Sequence, residues 1–209
     1  MKTRKHIMML IIMLLFSVNM LAQTRVNIGP RVTGNFNLWN AKGLSGTWNG
    51  LGIGIGPTVD ISFNNHIGVM VNLTAFDMKN FSNSTSVTGS TREESYSISY
   101  LTIDPMFKAE FSGFYMVGGP SFGVKLNSSG EITETVTTLP PKLTPLSPPT
   151  NSIRFDIALG TGYTFQLSQG LGLGTDFMAY IPITNTYDLP GVSNSIFSLK
   201  LGVALKFRI

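Results

Sequence analysis

Alternation of apolar and polar side chains with a period of two runs through most of this chain, and it restricts the fold more than any other feature. At its clearest, Phe197, Leu199, Leu201, Val203, Leu205, Phe207 and Ile209 alternate with Ser198, Lys200, Gly202, Ala204, Lys206 and Arg208. Ile153, Phe155, Ile157, Leu159, Tyr163, Phe165 and Leu167 do the same against Arg154, Asp156, Ala158, Gly160, Gly162, Thr164 and Gln166. Only extended backbone places every second side chain on one face. Eight segments read as such strands, at about 25–38, 51–63, 67–78, 96–111, 114–126, 153–167, 171–184 and 197–209. Three joints are very short, at 64–66, 112–113 and 168–170, which requires antiparallel neighbours. The intervening connections are long, at 39–49, 79–95, 127–151 and 185–194. The connection 127–151 is Thr-rich and holds Pro140, Pro141, Pro145, Pro148 and Pro149, so it reads as extended or disordered chain rather than sheet.

The apolar faces must meet either a protein interior or lipid. Charged residues make up 12% of the chain, against about 25% in soluble domains. The face opposite the apolar one is mostly Gly, Ser, Thr and Asn, too poor in charge for a soluble exterior. Phe63, Phe111, Phe114, Phe165 and Phe207 all sit beside the short turns, as an interfacial aromatic girdle requires. Facing the other way, the last strand would turn Lys200, Lys206 and Arg208 to lipid, at about 2–4 kcal/mol for each basic group near the midplane. The expected fold is therefore all-β: an eight-stranded antiparallel up-and-down transmembrane β-barrel, apolar outside, with short periplasmic turns and long outer loops. A soluble barrel of lipocalin type, apolar inside, is the competing reading that these features oppose.

Residues 1–22 read as a cleaved signal peptide and 23–209 as the barrel domain. Lys2, Arg4 and Lys5 precede an apolar stretch from Ile7 to Val18, about 12 residues and short of the ~20 a spanning helix needs. Ala22 supplies a small residue before a cut at Gln23. Cleavage removes three of the 15 basic residues and none of the 11 acidic ones, so the mature chain carries 12 against 11, a net +1. No nucleic-acid partner is inferred from so small a surplus.

Few residues suit catalysis. The chain has no cysteine, and His66 is the only histidine after residue 22. Ser–His chemistry, thiolate sites and multi-histidine metal sites are therefore disfavoured, and no enzyme activity, cofactor or metal is expected. Gly52, Gly54 and Gly56 fit no phosphate-loop spacing and precede no helix. Such inward glycines, with Gly160, Gly162, Gly172 and Gly174, instead leave room for large neighbours in a tightly coiled small barrel. The informative residues are inward charges: Asp60, Asp104, Glu110, Asp156 and Asp176 share the lumen face with Arg31, Lys108, Lys125, Arg154 and Lys200. Charges in a narrow bore must be paired, so these ten are candidates for a lumen ion-pair network. Arg154 or Lys200 is expected to pair with Asp156 or Asp176 across neighbouring strands. Acid–base work by a carboxylate pair is the sharper alternative.

Several strands also carry a family pattern. Tyr100-Leu101-Thr102-Ile103-Asp104-Pro105-Met106-Phe107-Lys108 resembles the Y-L-x-I-P-x-x-x-K strand of PorT-like outer-membrane barrels, common in Bacteroidetes, with Asp104 inserted between the Ile and the Pro. Gly118-Gly119-Pro120-Ser121 is similar to the strand that follows it there. Phe155-Asp156-Ile157-Ala158-Leu159-Gly160-Thr161-Gly162-Tyr163 is similar to F-D-x-x-L-G-x-G-Y, and 197–207 to the closing strand. The resemblance covers nearly all of 23–209. It implies a Gram-negative outer membrane, contact with its lipid and with the barrel-insertion machinery during biogenesis, and no particular activity. The role expected is structural, or recognition at the cell surface through 127–151. A small channel or transporter and an accessory factor in secretion or envelope assembly are the alternatives.

Overall fold

The computed structural model describes residues 24–41, 48–136, 140–146, 150–186 and 194–209. The expected signal peptide, 1–22, lies outside the described residues, as do Pro148 and Pro149. Nine strands follow in chain order: β1 Arg25–Ala41, β2 Trp48–Ser62, β3 Ile67–Val87, β4 Ser90–Phe111, β5 Phe114–Val136, β6 Lys142–Leu146, β7 Ile153–Ser168, β8 Leu171–Pro182 and β9 Asn194–Arg208. Every pairing is antiparallel. All but β6 form a ring in the order β1-β2-β3-β4-β5-β7-β8-β9, closed by β9 on β1. Closure leaves no edge strand in the wall, so its backbone groups pair along ladders on both sides of each strand, interrupted at a few bulges.

The wall is apolar outside and polar inside. Along β9, Leu201 is 65% exposed and Val203 52%, while Lys200 between their neighbours is 1% exposed. Leu51, Ile53 and Ile55 on β2 likewise face out, and Phe111, Phe114, Phe165 and Phe207 are exposed at the short-turn end. Three tight joints define that end. Asn64 Oδ1 accepts from the N–H groups of His66 and Ile67, each at 2.8 Å, holding the β2–β3 turn. Ser112 and Gly113 take φ of 52° and 88° between β4 and β5, the left-handed pair that matches strand twist in a two-residue hairpin. Ser168 pairs Leu171 across the β7–β8 turn.

Two of the expected long connections are corrected at the opposite end. Residues 79–95 are not a loop: β3 and β4 stay paired from Asp77↔Tyr100 to Val87↔Ser90 and turn at Thr88–Gly89, where Gly89 has φ 81°. The segment 127–151 is not free of sheet. β5 runs on to Val136 against β4, and β6 pairs Gly130–Glu134 of β5. A four-stranded extension, β3-β4-β5-β6, thus rises above the barrel. Its residues are largely Ser, Thr and Glu, so it has no apolar face, and the alternation that marks the wall strands is missing there. Backbone pairing, rather than side-chain burial, holds these residues in sheet.

One irregularity in the wall changes which residues face inward. On β3, Gly68, Met70, Asn72 and Thr74 point into the lumen; after a register shift between Thr74 and Asp77, the inward residues are Asp77, Lys79 and Phe81. Phe76 sits within the shift at φ 55° and is 61% exposed. The bulge inserts an extra residue and reverses the parity of the rest of the strand.

Candidate functional site

The lumen is the only large collection of polar and charged side chains removed from solvent among the described residues. Its buried charges are Arg31, Lys79, Lys108, Arg154, Lys200 and Lys206 against Asp60, Asp77, Asp104, Asp156 and Asp176. Half-buried Glu110 adds a sixth carboxylate, bonded to Lys108 at 2.7 Å.

At the short-turn end, Lys108 and Lys206 both donate to Asp60 Oδ2, at 2.7 and 2.9 Å. The Tyr115 ring lies beneath both ammonium groups, 5.0 and 4.8 Å from its centroid. A Cβ on Gly162 would come within 2.4 Å of the Tyr115 ring, so only glycine leaves that ring its seat. Above it lies an apolar layer of Met70, Met106, Val117, Ala158 and Met178.

Midway up, Arg31 of β1 makes a two-pronged contact with Asp176 of β8: Nη2 to Oδ1 at 2.5 Å and Nε to Oδ2 at 3.1 Å. The pair reaches across β9, whose Gly202 lies between them. A Cβ there would fall 2.5 Å from Asp176 Oδ1 and 2.6 Å from Arg31 Nη2. Among the described residues Asp104 makes no salt bridge. It accepts from Ser121 Oγ at 2.6 Å and from Tyr180 Oη at 2.8 Å. Lys200 sits 4.2 Å from the centroid of that same Tyr180 ring.

The next tier centres on Asp77. Lys200 reaches its Oδ2 at 3.0 Å and Lys79 at 3.4 Å, while Asn35 Nδ2 donates to Oδ1 at 2.8 Å. Lys79 also donates to Ser198 Oγ at 3.0 Å, and Ser198 donates to Asn37 Oδ1 at 2.7 Å. Arg154 Nε meets Asp156 Oδ2 at 2.6 Å, and its Nη2 donates to the Ile196 carbonyl at 2.7 Å. Higher still, Lys125 donates to Thr150 through both its carbonyl and hydroxyl oxygens, at 2.5 and 2.9 Å.

Toward the end of the lumen opposite the short turns lies a cluster of aromatic side chains. Trp39, Trp48, Phe81, Ile98, Tyr100 and Ile196 form one buried cluster with Tyr96 against it. Ring centroids lie 5.6 Å apart for Trp39–Trp48, 5.8 Å for Trp39–Phe81 and 5.1 Å for Trp48–Tyr96, spacings typical of tilted aromatic contact.

These placements differ from the expected pairing in three ways. Arg154 and Asp156 do pair, but along one strand rather than across two. Lys200 goes to Asp77 instead of Asp156 or Asp176, and Asp176 is taken by Arg31. The reason is the β3 bulge: uninterrupted alternation puts Asp77 and Lys79 on the lipid face, and the parity reversal brings both inside. Lys206, read as inward from its strand, joins Asp60. The aromatic cluster was not foreseen, because 39–49 and 79–95 read as loops. Its signal was present on β1, where Trp39 keeps the parity of Arg31, Thr33, Asn35 and Asn37.

Removing one partner from a buried pair leaves the other charge uncompensated. Asp77→Asn strands two lysines at once and is expected to lower stability by about 3–5 kcal/mol. Lys79→Met keeps the Asp77–Lys200 pair and should cost clearly less. Denaturant titration of the barrel in lipid vesicles measures both; equal effects would remove Asp77 from the centre of this tier.

No curated protein matches the chain. Among solved structures it is similar to Ail, the attachment invasion locus protein of Yersinia pestis, at 12% identity over 88% of this chain and 99% of that one, with TM-score 0.40. It is similar to Neisserial surface protein A at 8% identity, covering 87% and 97%, TM-score 0.43. It is also similar to the outer membrane protein OprG of Pseudomonas aeruginosa at 11% identity, covering 89% and 95%, TM-score 0.40. The family model described as outer membrane protein beta-barrel domain matches residues 16–188, most of the chain. The protein is a β-barrel of the outer membrane, its apolar wall set in lipid, and it belongs to the outer membrane protein beta-barrel domain family.

Proposed function

We propose that this is a non-conducting, non-enzymatic outer-membrane barrel that presents a rigid sheet for recognition at the cell surface. The observation that carries the reading is the filled lumen. Eight strands enclose a bore just wide enough for side chains. Here Tyr100, Tyr115, Tyr180, Met70, Met106 and Met178 are each no more than 1% exposed within it. The aromatic cluster at the outer end supports the same reading, since tilted rings above a paired ionic tier oppose a continuous aqueous path.

The recognition half rests on the extension β3-β4-β5-β6, which takes in 127–136 and 142–146 of the segment 127–151. Paired strands hold a surface in fixed shape, so a partner binding there avoids much of the ordering cost that a free loop imposes. Arg92 bonds Glu94 at 2.7 Å within it, which leaves Glu93 and Glu131 to give the face an acidic character. The resemblance of β4, β7 and β9 to PorT-like strands supports placing the protein among those barrels, with residues 1–22 removed on export. Neither alternative role has a comparable feature behind it among the described residues: a channel needs an open bore, and a periplasmic accessory factor would have three very short turns there to offer.

Protein extracted from outer membranes, with Gln23 at its N-terminus by sequencing, is expected to give no steady openings in planar bilayers; reproducible unitary conductance would overturn the closed-lumen reading. Cross-linking on intact cells should capture surface partners that are lost when 127–151 is replaced by a short turn. Partners unchanged by that replacement would remove the extension from the proposal.

A further inference from the structure

Where the lumen meets the periplasm, a cavity of about 60 Å³ remains open. Its lining brings four cations, Arg25, Lys108, Lys206 and Arg208, against two carboxylates, Asp60 and Glu110. Deeper in the barrel the fully buried charges balance, Arg31, Lys79, Arg154 and Lys200 against Asp77, Asp104, Asp156 and Asp176, and half-buried Lys125 higher up donates to neutral Thr150. Two of the lumen's three surplus positive charges therefore sit at this mouth. Arg25 at the rim is held by the neutral Asn65 side chain at 3.2 Å, which leaves its charge undiminished.

Two further observations point to a ligand. Among the described residues Asp60 Oδ1 has no hydrogen-bond partner, although Asp60 is only 1% exposed and lines the cavity. Lys108 engages Asp60 and Glu110, and Lys206 engages Asp60 and Thr164. An ammonium group has three N–H donors, so each buried lysine has one more to offer. A ligand that fits must accept from cations and also donate to a carboxylate oxygen.

We propose that this vestibule binds inorganic phosphate from the periplasm, an anion that keeps a proton on one of its oxygens at neutral pH. A protonated phosphate oxygen would donate to Asp60 Oδ1. The remaining oxygens would accept from Lys108 and Lys206, with Arg25 and Arg208 closing over the open side. The lining side chains project into the lumen, on the face of the sheet turned away from lipid, so the ligand arrives through water and not from a membrane headgroup. Because the layers above are sealed, the site is a blind cup and needs no passage through the barrel.

The test is a nuclear magnetic resonance titration of the mature barrel in an alkyl-glucoside detergent at low ionic strength, with inorganic phosphate and inorganic sulfate as separate probes. Sulfate matches phosphate in shape but carries no proton at neutral pH. Saturable shifts are expected at Asp60, Lys108, Lys206 and Arg208, with phosphate bound about tenfold more tightly than sulfate, the worth of one charge-assisted hydrogen bond. Asp60→Asn should abolish that preference. Should it fail to fold, the rim variant Arg25→Gln/Arg208→Gln, which breaks none of the buried ion pairs, is expected to fold normally and weaken phosphate binding about tenfold or more. Absence of saturation, equal affinity for the two anions, or unchanged affinity in the rim variant would each overturn the proposal.

Discussion

A backbone amide in hydrocarbon has no water to bond to, and the rest of this structure follows from that constraint. The wall strands can cross lipid only if the sheet closes on itself, and β9 meeting β1 achieves this through thirteen aligned residue pairs from Asn27↔Arg208 to Ala41↔Asn194. Closure fixes the bore, and the bore fixes the chemistry of the interior. Apolar side chains are needed outside, so every second residue, whatever its polarity, is forced inward. A barrel this small has little room to hydrate them separately, and most of the charges pair with one another. The tiers built around Asp60, Arg31–Asp176 and Asp77 are the result.

A single inserted residue on β3 then decides how that interior is wired. With Phe76 in a left-handed conformation, the strand changes face between Thr74 and Asp77. Asp77 becomes the counterion of Lys200, Lys79 enters beside Ser198 and Asn37, and Phe81 reaches Trp39. One backbone feature thereby supplies the acid of the central tier and a ring of the outer seal. The left-handed conformation is unfavourable for a bulky residue. It is held by the paired strand on either side of it.

Much of the wall was legible in the sequence because lipid imposes a strict rule there. On β7 and β9 the alternation alone locates each strand and its facing, and the short turns order the ring. The rule lapses above the lipid. Residues 79–87, 90–95 and 127–136 have no hydrocarbon to meet, so Ser, Thr and Glu stand on both faces and nothing in their pattern announces a strand. Proline content then misled: Pro145 lies in β6, whose pairing with β5 tolerates it at an outer edge. The ten candidate charges were assigned by parity, which succeeds on straight strands and fails beyond a bulge. That is why Asp77 and Lys79 escaped a reading that found Arg31, Asp176 and Lys200. Trp39 was hidden for a different reason: an inward aromatic at the outer end looks like the start of a loop.

The account depends on the facing of each strand, and the absence of cysteine makes facing directly measurable. Single cysteines placed in turn at 198–207 on β9 and at 69–81 on β3, each carrying a nitroxide, can be read for collisions with oxygen, which concentrates in lipid, and with a water-soluble nickel chelate. The account predicts strict alternation along β9, with 199, 201, 203 and 205 open to oxygen and 198, 200, 202 and 204 shielded from it. On β3 the alternation must break once, so that 73 and 76 are both lipid-facing while 74 and 77 are not. Unbroken alternation through 69–81, or oxygen access at 200 and 204, would contradict it.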